Sequence, residues 1–462
     1  MGYTAMIAAE KREQKLIEMG ALGTIIIIMA GAAALLVKSK YPFAMALLGV
    51  PLALLLISYP RAALYSYIFA IFIYMSLGNG SHLLLGDLFS VLLILSFVAT
   101  FLLADKNNFT IPGIAIFGIL LLIAQLLSAL FARYPAYAAT PLARTIAQIV
   151  IIIVIYNLIS GASVSRYLKF YFWVMTAHSL YNVASFLALG GAYRVFGLPN
   201  IYFDDLGMLA LPIGLSFYLW SPSRQRSYLY GLATVLIFFA LIATQSRGPL
   251  LTAVWVSAII LYIAYRRRYH TSDINLRRRI NMVVLGALGI GLVLFAFSGI
   301  FKEVGGRFES LSQLNTGTIW LRFSLWRASL IAFLSNPFTG IGLGSYRFID
   351  ELFPFLKFDI AHSYVIGLSA HNLFLHYLAE TGLIGALALA SFYFKNFRMA
   401  LSALKSNLMT ADCEVPFSLF GVALTIFATI FYLDGWMWGL NAFAAPFFMA
   451  LTAAYYRKSR YA

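Results

Sequence analysis

Apolar runs long enough to cross a lipid bilayer fill most of this 462-residue chain. A membrane-spanning helix needs about 20 mostly apolar residues. The candidate segments lie near residues 21–37, 42–58, 62–78, 87–104, 112–131, 143–160, 166–190, 205–220, 228–246, 248–265, 282–300, 371–394, 416–433 and 437–456. Hydrophobic residues make up 62% of the chain and charged residues only 11%, a balance that water-soluble domains do not have. The sequence therefore predicts an all-α polytopic membrane protein with 12–14 transmembrane helices.

Lysine and arginine residues are distributed unevenly between the two ends of these predicted helices. Short cytoplasmic loops are enriched in both residues, so the cluster of Arg266–Arg268 and Arg277–Arg279 is predicted to face the cytoplasm. Alternating outward from this cluster puts both termini in the cytoplasm, together with 21 of the 33 Lys and Arg residues. Membrane orientation thus explains the formal net charge of +16, and we do not expect nucleic acid as a partner.

The apolar runs and the loops between them divide the chain into four segments. Residues 1–20 are predicted to form an amphipathic helix on the cytoplasmic surface, and residues 21–300 the first transmembrane helices. Residues 301–370 are predicted to form one large extracytoplasmic loop subdomain, which contains interfacial helices and six of the outward Lys and Arg residues. Residues 371–462 are predicted to form the C-terminal transmembrane helices.

The sequence TQSRGP at residues 244–249 is predicted to be a tight turn between two spans, on the outer side of the membrane. Gly248 permits a sharp reversal of the chain, and Pro249 suits the first turn of the following helix. Arg247 would then lie at the mouth of the helical bundle, where an arginine is costly unless it is paired or hydrated. This pattern indicates either an anion site or an arginine that extends to the lipid headgroups.

A helix is predicted within the large loop, over residues 318–335. Its apolar residues recur at helical spacing, and they are Ile319, Phe323, Trp326, Leu330 and Phe333. Asn336-Pro337 ends this helix, and the three glycines that follow are predicted to form a flexible turn. Arg322 and Arg327 lie on its polar flanks, where a guanidinium group suits the phosphate oxygens of a substrate or of lipid headgroups.

The sequence Ser-Ala-His-Asn at residues 369–372 precedes a long apolar segment. His371 is therefore predicted at the outer membrane face, near a helix N-terminus. The positive end of the helix dipole disfavours a charged imidazolium, so a neutral imidazole that can act as a base is expected there. A structural cap or a headgroup contact is the alternative. His362 and His376 are rivals for the role, and Asn372 is a candidate substrate contact.

Further arginines complete the candidate set. Arg194 lies in the outer loop after the seventh predicted span, and Arg307 and Arg347 flank the loop helix. The acidic pair Asp204-Asp205 is adjacent rather than spaced like metal ligands, so we expect no catalytic metal and no cofactor. The sequence GIGLGSY at residues 340–346 follows no predicted strand, which excludes a dinucleotide-binding loop.

Three fragments together resemble the O-antigen ligase/polymerase superfamily, most closely the lipopolysaccharide O-antigen ligase branch. They are SRGPLL at 246–251, LRFSLWRASLIAFLSNPFTGIGLGSYRF at 321–348 and HNLFLHYLAETGLIG at 371–385. Members of this superfamily are metal-independent glycosyltransferases of the bacterial inner membrane, with their active site on the periplasmic side. They take a glycan from undecaprenyl diphosphate. Ligases pass it to the lipid A-core, and polymerases pass it to another carrier-linked glycan.

The resemblance implies that Arg247, Arg322 and His371 are functionally essential. Without a metal ion, guanidinium groups must stabilise the charge that develops on a departing diphosphate, and a nearby base must accept the proton of a sugar hydroxyl. We add Arg194, Arg327, Asn372 and Arg347 as candidates for substrate binding. Two alternatives remain open, namely a polymerase with the same donor and a flippase for lipid-linked oligosaccharides. Membrane lipids are expected partners in every case.

Overall fold

The computed structural model of the chain describes residues 52–72, 85–103, 109–188, 203–271, 274–296, 317–354, 369–408, 413–432 and 441–461. Every regular element among these residues is a helix, which confirms the predicted all-α fold. The first seven are α1 (Leu52–Ser58), α2 (Pro60–Ala70), α3 (Leu85–Leu103), α4 (Gly113–Leu130), α5 (Ala139–Leu158), α6 (Val164–Ala188) and α7 (Phe203–Trp220). The others are α8 (Arg224–Ala243), α9 (Arg247–Thr271), α10 (Ile274–Ala296), α11 (Gly317–Ser335), α12 (Ile349–Leu352), α13 (Leu373–Asn407), α14 (Glu414–Thr429) and α15 (Asn441–Tyr461).

The helices fall into two compact units. The first contains α1, α2 and α3, and α1 and α2 are bent against each other by 119°. Within this unit the Ser96 hydroxyl donates to the Ile57 carbonyl oxygen (2.9 Å), which joins α3 to α1. The second unit contains α4 to α15 and all of the described candidate site residues.

Helix α7 lies at the centre of the second unit. Its side chains are buried from Leu206 to Leu219, around its whole circumference. A helix that is apolar on all sides has no preference for a lipid-facing stripe, so it can be surrounded by other helices. Helices α8, α9, α10 and α14 pack against it.

Five helices of the described residues are long and apolar enough to cross a membrane, or six if the bent pair α1–α2 counts as one span. They lie at Gly113–Leu130, Pro135–Leu158, Arg224–Ala243, Arg247–Arg267 and Leu373–Asn407. The chain is thus a multi-pass membrane protein. The count of 12–14 spans stays a prediction, and the N-terminal amphipathic helix of residues 1–20 lies outside the described residues.

The loop helix is confirmed as α11, and it ends just before Asn336-Pro337 as predicted. It packs against the protein through Leu325, Ala328 and Ala332, which are fully buried. Much of the predicted apolar face points outward instead, since Phe323 and Leu330 are each nearly half exposed. The glycine turn that follows is packed against neighbouring backbone, which corrects the prediction of a flexible turn.

Candidate active site

The chain enters α9 through a turn that fixes the start of that helix. Gln245 has a positive φ of 52°, so the reversal occurs there and not at Gly248 as predicted. Ser246 is buried, and its hydroxyl donates to Oδ2 of Asp204 at the start of α7 (2.6 Å). Arg247 is the first residue of α9 and is half-buried. Its position at a helix N-terminus is thereby tied to α7.

Helix α11 is attached to the segment that carries His371. The indole Nε1 of Trp326 donates to the carbonyl oxygen of Ala370, the preceding residue (2.9 Å). Arg322 lies four residues before Trp326, and side chains at this spacing share one face of a helix. Arg322 is half-buried and makes no hydrogen bond or ion pair with the described part of the chain. Arg322 therefore shares the helix face that carries Trp326, the residue that contacts the His371 segment.

His371 lies next to the N-cap residue of α13, near the helix N-terminus as the sequence predicted. It has a positive φ of 49°, and its backbone N–H donates to the Ser369 hydroxyl (3.4 Å). Asn372 is the N-cap of the helix, because its Oδ1 accepts from the backbone N–H of Leu375 (2.9 Å). Its Nδ2 donates to the carbonyl oxygen of Phe431. Asn372 is therefore engaged in holding His371, and a contact with substrate stays a prediction.

The segment after α14 joins the start of α13 to the start of α9. The backbone N–H of Phe374 donates to the carbonyl oxygen of Ile430 (2.9 Å). The hydroxyl groups of Tyr432 and Thr252 also form a hydrogen bond, and Thr252 lies in the second turn of α9, close to Arg247. The helix ends that carry Arg247 and His371 thus meet on one short segment at one end of the bundle.

Backbone strain is concentrated at the same place. Within the described ranges, only Gln245 and His371 have positive φ among residues other than glycine. Such conformations cost about 1–3 kcal/mol each and persist only where surrounding contacts enforce them. One precedes the serine that binds Asp204, and the other is the candidate base itself.

Basic residues gather at the opposite end of this unit. Nζ of Lys169 and Oε1 of Glu414, at the start of α14, form an ion pair (3.1 Å). Nη1 of Arg279 donates to the carbonyl oxygen of Leu219, near the end of α7 (2.8 Å). These ends were predicted to face the cytoplasm, and the ends at Arg247 and His371 the other side. Helix α7 runs from Asp204 at the Arg247 end to Leu219 at the basic end, so the two sets of residues do lie at opposite ends of the unit. Which end faces the cytoplasm stays a prediction.

A family model described as O-Antigen ligase matches residues 232–390. This segment, about a third of the chain, is similar to the O-antigen ligase superfamily. The resemblance drawn from the sequence is thereby confirmed at the level of the superfamily, whose members have ligase- or polymerase-type glycosyltransferase activity. No curated protein matches the chain.

The O-antigen ligase domain holds Arg247, Arg322 and His371, but their supports extend beyond it. Asp204, which binds the turn before Arg247, precedes the matched segment. Tyr432, which contacts α9, follows it. The arrangement at this end of the bundle therefore depends on helices on both sides of the O-antigen ligase domain.

Two other candidates of the domain lie on exposed surface. Arg327 is exposed on the outer side of α11. Arg347 is also exposed, and its guanidinium carbon lies 4.7 Å from the centre of the Tyr137 ring. Near it, the Tyr134 hydroxyl donates to Oε2 of Glu351 (3.1 Å), and this hydrogen bond raises the pKa of Tyr134. The surroundings of Arg347 are thus aromatic and carry both signs of charge.

The sequence interpretation missed a buried carboxylate in α13. Glu380 is 2% exposed, its Oε1 accepts from the backbone N–H of Tyr346 (2.9 Å), and its Oε2 lies 3.5 Å from Nε2 of His376. The Tyr346 hydroxyl in turn donates to the carbonyl oxygen of Leu325 in α11 (2.8 Å). His376 therefore lies in a buried network that joins α13 to α11. The signal available in the sequence was a Glu four residues after a His within an otherwise mostly apolar helix.

Arg194, Arg307 and His362 lie outside the described residues, so their predicted roles stay predictions. In the part of the chain that the structure describes, no three His, Cys, Asp or Glu side chains are grouped as metal ligands. That the reaction needs no metal ion stays a prediction.

Proposed function

We propose that this chain is a metal-independent, inverting glycosyltransferase that moves a glycan from undecaprenyl diphosphate to a sugar hydroxyl of the lipid A-core. The reaction would take place at the periplasmic face of a bacterial inner membrane, with both protein termini in the cytoplasm. One observation carries the proposal. The helix ends that bear Arg247 and His371 both lie within the O-antigen ligase domain, and both are hydrogen-bonded to the same short segment, residues 430–432.

Arg247 and Arg322 are proposed to bind the diphosphate. Charge develops on this leaving group as its bond to the anomeric carbon breaks, and a fixed guanidinium group stabilises it without reorganising in the reaction. The N-termini of α9 and α13 add the positive ends of two helix dipoles at the same end of the bundle. Arg194 is proposed to assist from the preceding outer loop. Arg327, Arg347 and Asn372 remain proposed substrate contacts.

His371 is proposed to act as the general base. Its imidazole would accept the proton of the acceptor hydroxyl while that oxygen bonds to the anomeric carbon. The diphosphate leaves from the opposite face of the sugar, so a single displacement inverts the anomeric configuration. General base catalysis of this kind contributes about 10²–10⁴-fold to the rate. The half-buried position of His371 before a helix N-terminus supports a neutral imidazole.

The acceptor decides between the two branches of the superfamily. The test is to supply purified protein in liposomes with one carrier-linked glycan and, separately, lipid A-core or a second carrier-linked glycan. We expect the lipid A-core to be extended. Extension of the second carrier-linked glycan alone would identify a polymerase. Movement of labelled donor across the bilayer without a new glycosidic bond would refute the proposal in favour of a flippase.

A further inference from the structure

Asn182, in α6, is fully buried, and neither its Nδ2 nor its Oδ1 bonds to any described residue. An amide buried without hydrogen bonds costs about 1–3 kcal/mol. Buried polar groups in folded proteins are nearly always satisfied, so each exception calls for a physical reason. Asn182 is not used by the mechanism proposed above.

The neighbours of Asn182 place it beside the turn that holds Arg247. His178 precedes it by four residues, and its ring lies edge-on to the Phe203 ring (5.1 Å between centroids). Phe186 follows it by four residues and packs against Ala243. Residues spaced by four share one helix face. That face of α6 therefore borders both the start of α7 and the end of α8.

These two helix ends are the ones joined by the turn at the candidate site. Phe203 immediately precedes Asp204, which accepts from Ser246, and Ala243 is the last residue of α8 before that turn. The unsatisfied amide thus lies next to the contact that fixes the start of α9. A ligand bound by Arg247 would therefore lie at the end of the bundle where this face of α6 contacts α7 and α8.

The chemistry of the amide limits what it can bind. A phosphate group has acceptors only and would leave Oδ1 unsatisfied, whereas Asn182 presents a donor and an acceptor. A sugar hydroxyl or an N-acetyl group supplies both. We infer that Asn182 binds a hydroxyl or N-acetyl group of the sugar attached to the diphosphate. This inference rests on the proposed function, because it assumes a glycan donor at Arg247.

The chain offers a matched control at the other end of the same unit. Asn396, in the second half of α13, is 1% exposed and also has both amide atoms without a partner among the described residues. It lies between Lys395 and Arg398, far along α13 from His371. Replacing either asparagine by leucine removes an unsatisfied polar group at similar volume, which is neutral or stabilising for the fold.

The experiment measures binding of two ligands to purified wild type, Asn182→Leu and Asn396→Leu. The ligands are undecaprenyl diphosphate carrying a glycan and undecaprenyl diphosphate alone. We expect Asn182→Leu to weaken binding of the glycan-bearing carrier roughly tenfold, with unchanged affinity for the bare carrier and no loss of thermal stability. Asn396→Leu should bind both ligands like the wild type.

Wild-type affinity of Asn182→Leu for the glycan-bearing carrier would overturn the inference, as would an equal loss for both ligands. The binding assay contains no acceptor, so it separates this inference from the proposed function. A wild type that transfers glycan, with Asn182→Leu unaffected, would refute the inference alone. A wild type that binds the donor in the expected manner but transfers nothing would refute the proposed function and leave the sugar contact supported.

Discussion

Arg322 and Arg327 occupy the same helix but different faces of it. Arg322 shares a face with Trp326, whose indole bonds to Ala370, whereas Arg327 is exposed with Phe323 on the outer face. From spacing alone, both arginines were equal candidates for a phosphate contact. The structure separates them because the packing face of α11 is set by contacts with distant residues, which the local pattern of apolar residues does not encode.

Substituting each arginine in turn tests that difference. Arg322→Ala removes a group proposed to stabilise the leaving diphosphate, so kcat should fall about 10²–10³-fold. Arg327→Ala removes an exposed charge, so kcat should stay near the wild-type value while KM for lipid A-core rises. Steady-state transfer assays in liposomes measure both parameters. Equal losses of kcat in the two variants would contradict the assignment of Arg322 to the reacting end.

Helix α13 consists of two helical halves that meet at Gly382. This glycine has a φ of 63°, and a Cβ placed there would lie 2.3 Å from the carbonyl oxygen of Phe338. The backbone N–H of Leu383 also donates to the carbonyl oxygen of Pro337 (2.8 Å). The sequence predicted an unbroken span over residues 371–394. The glycine at this position was visible, but the close approach of the turn after α11 was not.

Gly382→Ala should therefore destabilise the protein by about 2 kcal/mol or more, since a side chain at positive φ is strained and meets backbone. Gly286→Ala is the matched control. Gly286 is within α10 with open space around its Cα, so alanine there should leave stability unchanged or raise it by up to about 1 kcal/mol. Thermal unfolding in detergent compares the two variants. A Gly382→Ala variant as stable as Gly286→Ala would show that the fold does not require glycine where the two halves of α13 meet.

At the scale of the whole molecule, the sequence predicted which elements form but not how they meet. The predicted spans at 205–220, 228–246 and 248–265 correspond to α7, α8 and α9, because apolar runs and the glycine-proline turn are local signals. The bond between Tyr432 and Thr252 joins residues 180 positions apart, and no local pattern encodes it. The meeting of helix ends at the site is thus a property of the bundle. The charge pattern placed Arg247 and His371 on the same side of the membrane, and the resemblance to a family grouped them in one site.

The most direct test of this account is glycan transfer to lipid A-core in EDTA-treated liposomes, comparing wild type with His371→Ala. We predict that the wild type keeps its full rate in EDTA. His371→Ala should lose about 10²–10⁴-fold in kcat because the base is gone, while it still binds the carrier-linked donor through the arginines. Full transfer by His371→Ala would contradict His371 as the general base. Loss of wild-type transfer in EDTA would contradict stabilisation of the diphosphate by guanidinium groups without a metal ion.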